Sequence, residues 1–212
     1  MSDTGLREGI FPYQALLAAL LAESEALHRH LCPRQVLGAR LGLYGVGLLG
    51  LAEGGERYWN KGKRLLTFVE MDGCGADGVS VATNCWVGRR TLKVVDYGKM
   101  AITVVDTKAE VAWRVWPRGD VRERAEVWAE GAQSRWHAYR EGYRVMPDSE
   151  LLQAERVVLG QSVAAIVSRA GVRVVCEGCG EEVMNEREVV VEGRVLCQGC
   201  GGGGYYREFS LV

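Results

Sequence analysis

The chain is short of histidine, of net charge and of long apolar runs, and each shortage narrows what it can do. Its 212 residues carry 26 basic and 27 acidic side chains, a formal net charge of −1. That balance supplies no overall attraction to nucleic acid or to an anionic membrane. No basic start leads into an apolar stretch, so no secretory signal is expected. The longest apolar segments are interrupted by Glu, Arg or repeated Gly before they could span a bilayer. A cytoplasmic protein without membrane contact is therefore expected. No unit of the sequence repeats, and GGGG at 201–204 is the one low-complexity run, read as a flexible segment.

What is present is that of a soluble globular protein, 48% hydrophobic and 25% charged, long enough for one domain and a small appendage. Seven cysteines are an odd number. Four form two CxxC pairs, Cys176/Cys179 and Cys197/Cys200. In a chain expected to be cytoplasmic, this spacing favours metal over a disulfide framework. Two short knuckles can aim four thiolates at one tetrahedral zinc about 2.3 Å away. Gly178, Gly180, Gly199 and Gly201 stand where each knuckle must tighten. Glu188–Val195 between the pairs reads as a hairpin with Glu-Gly at its turn. Some 40 residues bury too little surface to fold unaided, so zinc would supply the stability, and four cysteines leave it no open position. Disulfides or a redox dithiol are the competing reading. Six glutamates (177, 181, 182, 186, 188, 192) face Arg173, Arg187 and Arg194 here, which argues against nucleic acid as a partner.

Only three histidines occur, and two of them fall within five residues of the chain with Cys32, in the stretch LHRHLCPRQVLG from Leu27 to Gly38. His28 and Cys32 are four apart and would share a face of a continuing helix. His30 would join them if the chain unwinds before Pro33. Two further cysteines could complete the set. Cys74 follows a strand in the Gly-flanked stretch DGCGADG, beside Asp72. Cys85 lies eleven residues on, about 16 Å away if the segment between is helical, so both cannot reach one ion. Cys74 is the preferred partner. Cys85 is the weaker candidate ligand and reads equally well as a small buried residue.

The periodicities predict an α+β fold, an antiparallel sheet covered by helices on one face, with domains at 1–170 and 171–212. Helices are expected over 11–27, 35–49, 76–84, 121–139, 149–152 (capped by Asp148) and 162–169, with 53–63 a loop. Strands are expected over 64–71, 91–96, 101–106, 111–116 and 155–159. The short Tyr97–Lys99 turn suggests that the second and third of these pair as a hairpin. Gly38, Gly42, Gly45 and Gly47 in the second helix suggest tight packing against a neighbour. Trp113, Trp116, Trp128 and Trp136 suit a core or a dimer face equally.

Four motifs in order (HRHLCPRQVLGARLG, VEMDGCGADGVSVATNC, LKVVDYGKMAITVVD and MPDSELL), with the terminal CxxC pairs, resemble the FmdE family over nearly the whole chain. The family takes its name from a component associated with molybdenum formylmethanofuran dehydrogenase. Its first motif usually reads His-Gly-His-x-Cys-Pro-Gly, and here Arg29 and Arg34 replace both glycines. The family's Asp-x-Cys corresponds to Asp72–Cys74, its later cysteine to Cys85 and its Asp-Tyr-Gly-Lys to Asp96–Lys99. The resemblance implies an α+β core with a zinc-finger module, and a core metal or reactive-thiol site. The function it implies is a metal-binding accessory to a molybdenum- or tungsten-dependent oxidoreductase, or a related metal pathway, with a link to methanogenesis carried by the name. His28, His30, Cys32 and Cys74 would hold zinc or another transition metal. Asp72 and Lys99 would be nearby catalytic candidates beside Cys74. A metal- or thiol-dependent enzyme, or a zinc-finger regulator, are the alternatives.

Overall fold

The computed structural model describes residues 13–52 and 56–206. Positions 11–12 of the first expected helix and 53–55 of the expected loop lie outside them. The chain divides into two compact units, Met1–Leu159 and Gly160–Val212.

Helix α1 (Gln14–His28) buries Leu17, Leu20, Leu21 and Ser24, the spacing of one helical face. It stops because Arg29 turns left-handed, at φ 66°. The chain then runs extended to Cys32, and Pro33, which has no N–H to leave unbonded, opens α2 (Pro33–Leu48). The Cys32 amide donates to Gln35 Oε1 at 2.8 Å. Buried Gln35 in turn donates to Ser24 Oγ at 3.0 Å, tying the start of α2 to α1.

The remaining elements of this unit are β1 (Leu65–Val69), α3 (Cys74–Thr83), β2 (Leu92–Val94), β3 (Ile102–Asp106), β4 (Val111–Pro117), α4 (Val121–Trp128), α5 (Arg135–Val145), α6 (Asp148–Leu151) and β5 (Leu152–Val157). The sheet order is β2-β1-β3-β4-β5, antiparallel from β1 to β5, with β2 a parallel edge strand on β1. The expected β2–β3 hairpin does not form. The Tyr97 and Lys99 amides both donate to Glu70 O, at 3.1 and 2.9 Å, so this turn wraps the end of β1 and carries the chain to its other side.

α2 is nearly all buried, and glycine is the reason. A Cβ on Gly38 would stand 2.1 Å from Gly75 O, and one on Gly78 would stand 2.2 Å from Gln35 O. The α2 and α3 backbones therefore touch. Gly45 faces Val104 of β3, whereas Gly47 has open space before it.

Three expectations need correction. The helix expected from 76 begins two residues earlier, so Cys74 itself opens α3. The helix expected over 121–139 is two: Gly131 (φ 84°) breaks it, Ser134 caps α5, and Gly142 folds α5 back onto Ala125. Asp148 does not cap α6, because Pro147 occupies that place. Its carboxylate instead accepts from Tyr13 and from Arg40, whose wholly buried guanidinium also donates to Tyr143 O and Met146 O, each at 2.7 Å.

The second unit comprises α7 (Val163–Val167), β6 (Arg173–Val175) paired with β7 (Glu182–Met184), and β8 (Val189–Val191) paired with β9 (Arg194–Leu196). Glu192 and Gly193 (φ 50° and 78°) form the left-handed turn that suits a two-residue hairpin loop. Its apolar core is small, centred on Cys176, Val183 and Leu196. The glycine run is no structureless link. Gly199–Gly203 forms a wide turn kinked at Gly202 (φ 97°), in which Gly201 packs against Val189. Among the described residues no helix is long and apolar enough to cross a membrane.

Candidate metal centres

The four C-terminal cysteines converge. Their sulfurs all lie within 4.8 Å of one another. A tetrahedral zinc bound by four thiolates at 2.3 Å needs sulfurs about 3.8 Å apart, so the set fits the ion. Amides already point at these sulfurs, Cys197 N to Cys176 Sγ at 3.1 Å and Cys200 N to Cys197 Sγ at 3.3 Å. The Cys197 and Cys179 amides hold the Cys176 thiol down to about 6. Crowding by Cys197, Cys176 and Cys179 pushes the Cys200 thiol up to about 12. A cation at their centre would relieve that crowding.

The core group is built by helix ends. His28 closes α1, Cys32 caps α2 and Cys74 opens α3, brought together by the glycine contact between the last two helices. His28 Nε2 lies 3.4 Å from Cys74 Sγ, and its Nδ1 lies 2.9 Å from Asp77 Oδ2. Burial pushes the Cys74 thiol up, the adjoining Cys32 thiol adds to this, and Arg34 opposes it. His30 is exposed at the rim, its ring 4.6 Å from that of His28.

Among the described residues, Cys176, Cys179, Cys197 and Cys200 are the one set of three or more donors gathered within 4.8 Å. The core donors form a chain instead, Asp77 to His28 to Cys74 to Cys32. The His28–Cys74 separation suits one edge of a metal tetrahedron, about 3.6 Å for ordinary Zn–N and Zn–S bonds. A carboxylate behind an imidazole is how metal-bound histidines are commonly oriented.

Asp77 is the residue that sequence reasoning missed. It stands three positions beyond Cys74, hence on the same face of α3, which was the available signal. Asp72 and Lys99 are exposed, with Lys99 Nζ over the Tyr97 ring at 5.9 Å. Cys85 lies elsewhere, beyond the far end of α3 and fully buried. Asn60 Nδ2 and Thr67 Oγ1 donate to its sulfur at 3.4 Å each.

Residues 27–164 match the family model described as FmdE, molybdenum formylmethanofuran dehydrogenase operon. The chain belongs to the FmdE family. Residues 169–206 match a second model, the prokaryotic dksA/traR C4-type zinc finger, and the cysteine cage supports a structural zinc there. The FmdE-like fold is also that of a solved tungsten formylmethanofuran dehydrogenase FmdE-like protein from Syntrophus aciditrophicus. The two share 20% identity with a TM-score of 0.55, over 90% of this chain and 95% of that one. A probable S-adenosyl-L-methionine-binding protein of Archaeoglobus fulgidus is 37% identical over 95 residues. That stretch is 45% of this chain and 25% of the relative, so the match spans a quarter of that protein.

Proposed function

We propose that this FmdE-family protein binds a transition metal at its core through His28, Cys32 and Cys74, with His30 at the rim. In this reading it serves a molybdenum or tungsten formylmethanofuran dehydrogenase-type oxidoreductase, or a related metal pathway, from the cytoplasm. The observation that carries the reading is the position of His28, with Asp77 on one ring nitrogen and Cys74 on the other. An imidazole so held presents a lone pair toward a thiol, the donor pair that suits zinc and its neighbours. A zinc there would act as a Lewis acid or a template. The chain's own contribution is to fix the tautomer through Asp77 and to shelter the Cys32 sulfur. Assembly as a homodimer, and a role in methanogenesis, belong to the same proposal.

The same chain of groups supports a second reading, a thiol-dependent enzyme in which His28 takes the proton of Cys74. Metal counting on full-length protein loaded with zinc separates them. Two ions per chain are expected, falling to one in Cys74→Ser and separately to one in Cys179→Ser. One ion in the unaltered protein, lost in Cys179→Ser but not in Cys74→Ser, would sink the core-metal reading and leave the thiol one.

A further inference from the structure

The far half of α2 borders a cavity that the metal reading does not use. It has a volume of about 280 Å³ and is lined by Tyr13, Tyr44 and Tyr58, by apolar side chains, and by Glu56 and Asp148. Among the described residues both charged groups on its wall are carboxylates. Cys32 and Leu43 are eleven positions apart on α2, which separates the cavity from the core cysteines by about 16 Å.

Three observations bear on what it takes. Apolar walls with few polar groups are the ordinary make-up of a small-ligand pocket, and this volume suits a compact ligand. Tyrosine faces carry negative charge density, and a cation without N–H donors gains from them where water is scarce. The Asp148 carboxylate acts locally, at Tyr44, whereas at Tyr13 Arg40 outweighs Asp148 and at Tyr58 Arg64 outweighs Asp106. Arg40 offsets Asp148 from the buried side, yet the carboxylate charge still acts on Tyr44, whose phenol is pushed up first by burial and then by Asp148. Both described partners of Asp148, Tyr13 and Arg40, take Oδ1 rather than Oδ2. Gly47 completes the case. It sits in a helix, where glycine costs about 1 kcal/mol against alanine, and a Cβ there would meet nothing within 4 Å. Unlike Gly38, Gly42 and Gly45, it touches no neighbour, and it borders the cavity.

From these residues we infer that the cavity binds a compact organic cation with an apolar shell, a quaternary ammonium or a sulfonium head. Tyr44 and Tyr58 supply the aromatic walls, Glu56 and Asp148 the charge, and Gly47 the space.

Calorimetric titration of the full chain with tetramethylammonium, trimethylsulfonium and neutral tert-butanol tests this. At least one cation is expected to bind saturably and tert-butanol not to. Which cation binds more tightly identifies the source of the charge. Tyr44→Leu keeps apolar volume and removes the aromatic face, so it should weaken binding about fivefold. Gly47→Leu should abolish binding while leaving the melting temperature equal or higher. Glu56→Gln, at an exposed position, should weaken binding about threefold and guards against a folding failure in the others. Binding of tert-butanol as tight as that of the cations overturns the inference, as does the absence of saturable binding by either cation. Cation binding indifferent to both Tyr44→Leu and Gly47→Leu overturns it too, since the ligand would then sit elsewhere.

Discussion

The two cysteine-bearing regions reach their geometry by opposite routes. In the second unit, each pair of sulfurs comes from one short knuckle, and backbone amides of the same knuckle or of the other aim at them. In the first, the donors come from the ends of three helices, and nothing local holds them together. A local cage needs its ion to fold, whereas the chain of core donors needs its helices to pack. The contrast breaks most visibly at Cys179. Replacing it with serine should remove zinc and unfold the second unit, since structural zinc contributes on the order of 10 kcal/mol to so small a core. Loss of the β8–β9 amide dispersion in NMR spectra, with the resonances of α2 and α3 unmoved, is the expected outcome. A folded, zinc-free finger would mean that Val183 and Leu196 suffice as a core.

The complementary break is Gly38→Ala. The new Cβ would meet Gly75 O at 2.1 Å, backbone against backbone, so no side chain can step aside. The helices must part, at a cost of about 3 kcal/mol or more by chemical denaturation. Parting them also carries Cys74 away from Cys32 and His28. On the proposed core-metal reading, metal binding there should therefore fall along with stability, while the zinc of the finger stays. An unchanged denaturation midpoint would refute the account of why these glycines are there.

The same contrast governs what could be read without a structure. The cysteine cage and its hairpin were legible, because CxxC spacing and the Glu192-Gly193 turn are local chemistry, whereas the packing of the glycine run on Val189 was not. The first two helices were legible from periodicity, and Pro33 and Cys32 marked where α1 must yield to α2, but the break at Gly131 that splits α4 from α5 was not. Strand partners were not. A short turn at Tyr97–Lys99 looks like a hairpin until Glu70 O captures its amides and sends the chain around β1. Nor could the sequence announce that Asp148 would be claimed by Arg40, 108 residues away, instead of capping a helix beside it. Asp77 lay between: its spacing from Cys74 was visible, but His28 as its partner was not.

Asp77→Asn sharpens the comparison without disturbing the fold. Asp77 is half exposed and packs little, so the melting temperature should hold. On the proposed metal reading, the core ion should bind 10- to 100-fold more weakly, the usual cost of removing the carboxylate that orients a ligating histidine. Competition titration with a chromophoric chelator measures this, and the finger in the same molecule serves as the internal standard. An affinity unchanged in Asp77→Asn would mean that His28 is oriented by something else.

The smallest expected effect lies at the sheet. Arg64 holds the Asp106 carboxyl below the usual carboxylate range, with the Lys108 and Ala109 amides adding to this and burial opposing it. Because the folded value is depressed, this group stabilises the unit at pH above the ordinary carboxylate value, about 3.9. That contribution is lost as pH falls through the lower folded value, since protonation breaks the pairing. Asp106→Asn cannot titrate, so its stability should start lower at neutral pH and fall less steeply on acidification. The difference between the two proteins should narrow between neutral pH and the acid limb. The C-terminal finger loses stability in the same direction but at higher pH, because acid protonates its thiolates and releases zinc. Following the two units by separate resonances through an acid titration should therefore show the finger opening first, well above the pH at which Asp106 takes up its proton.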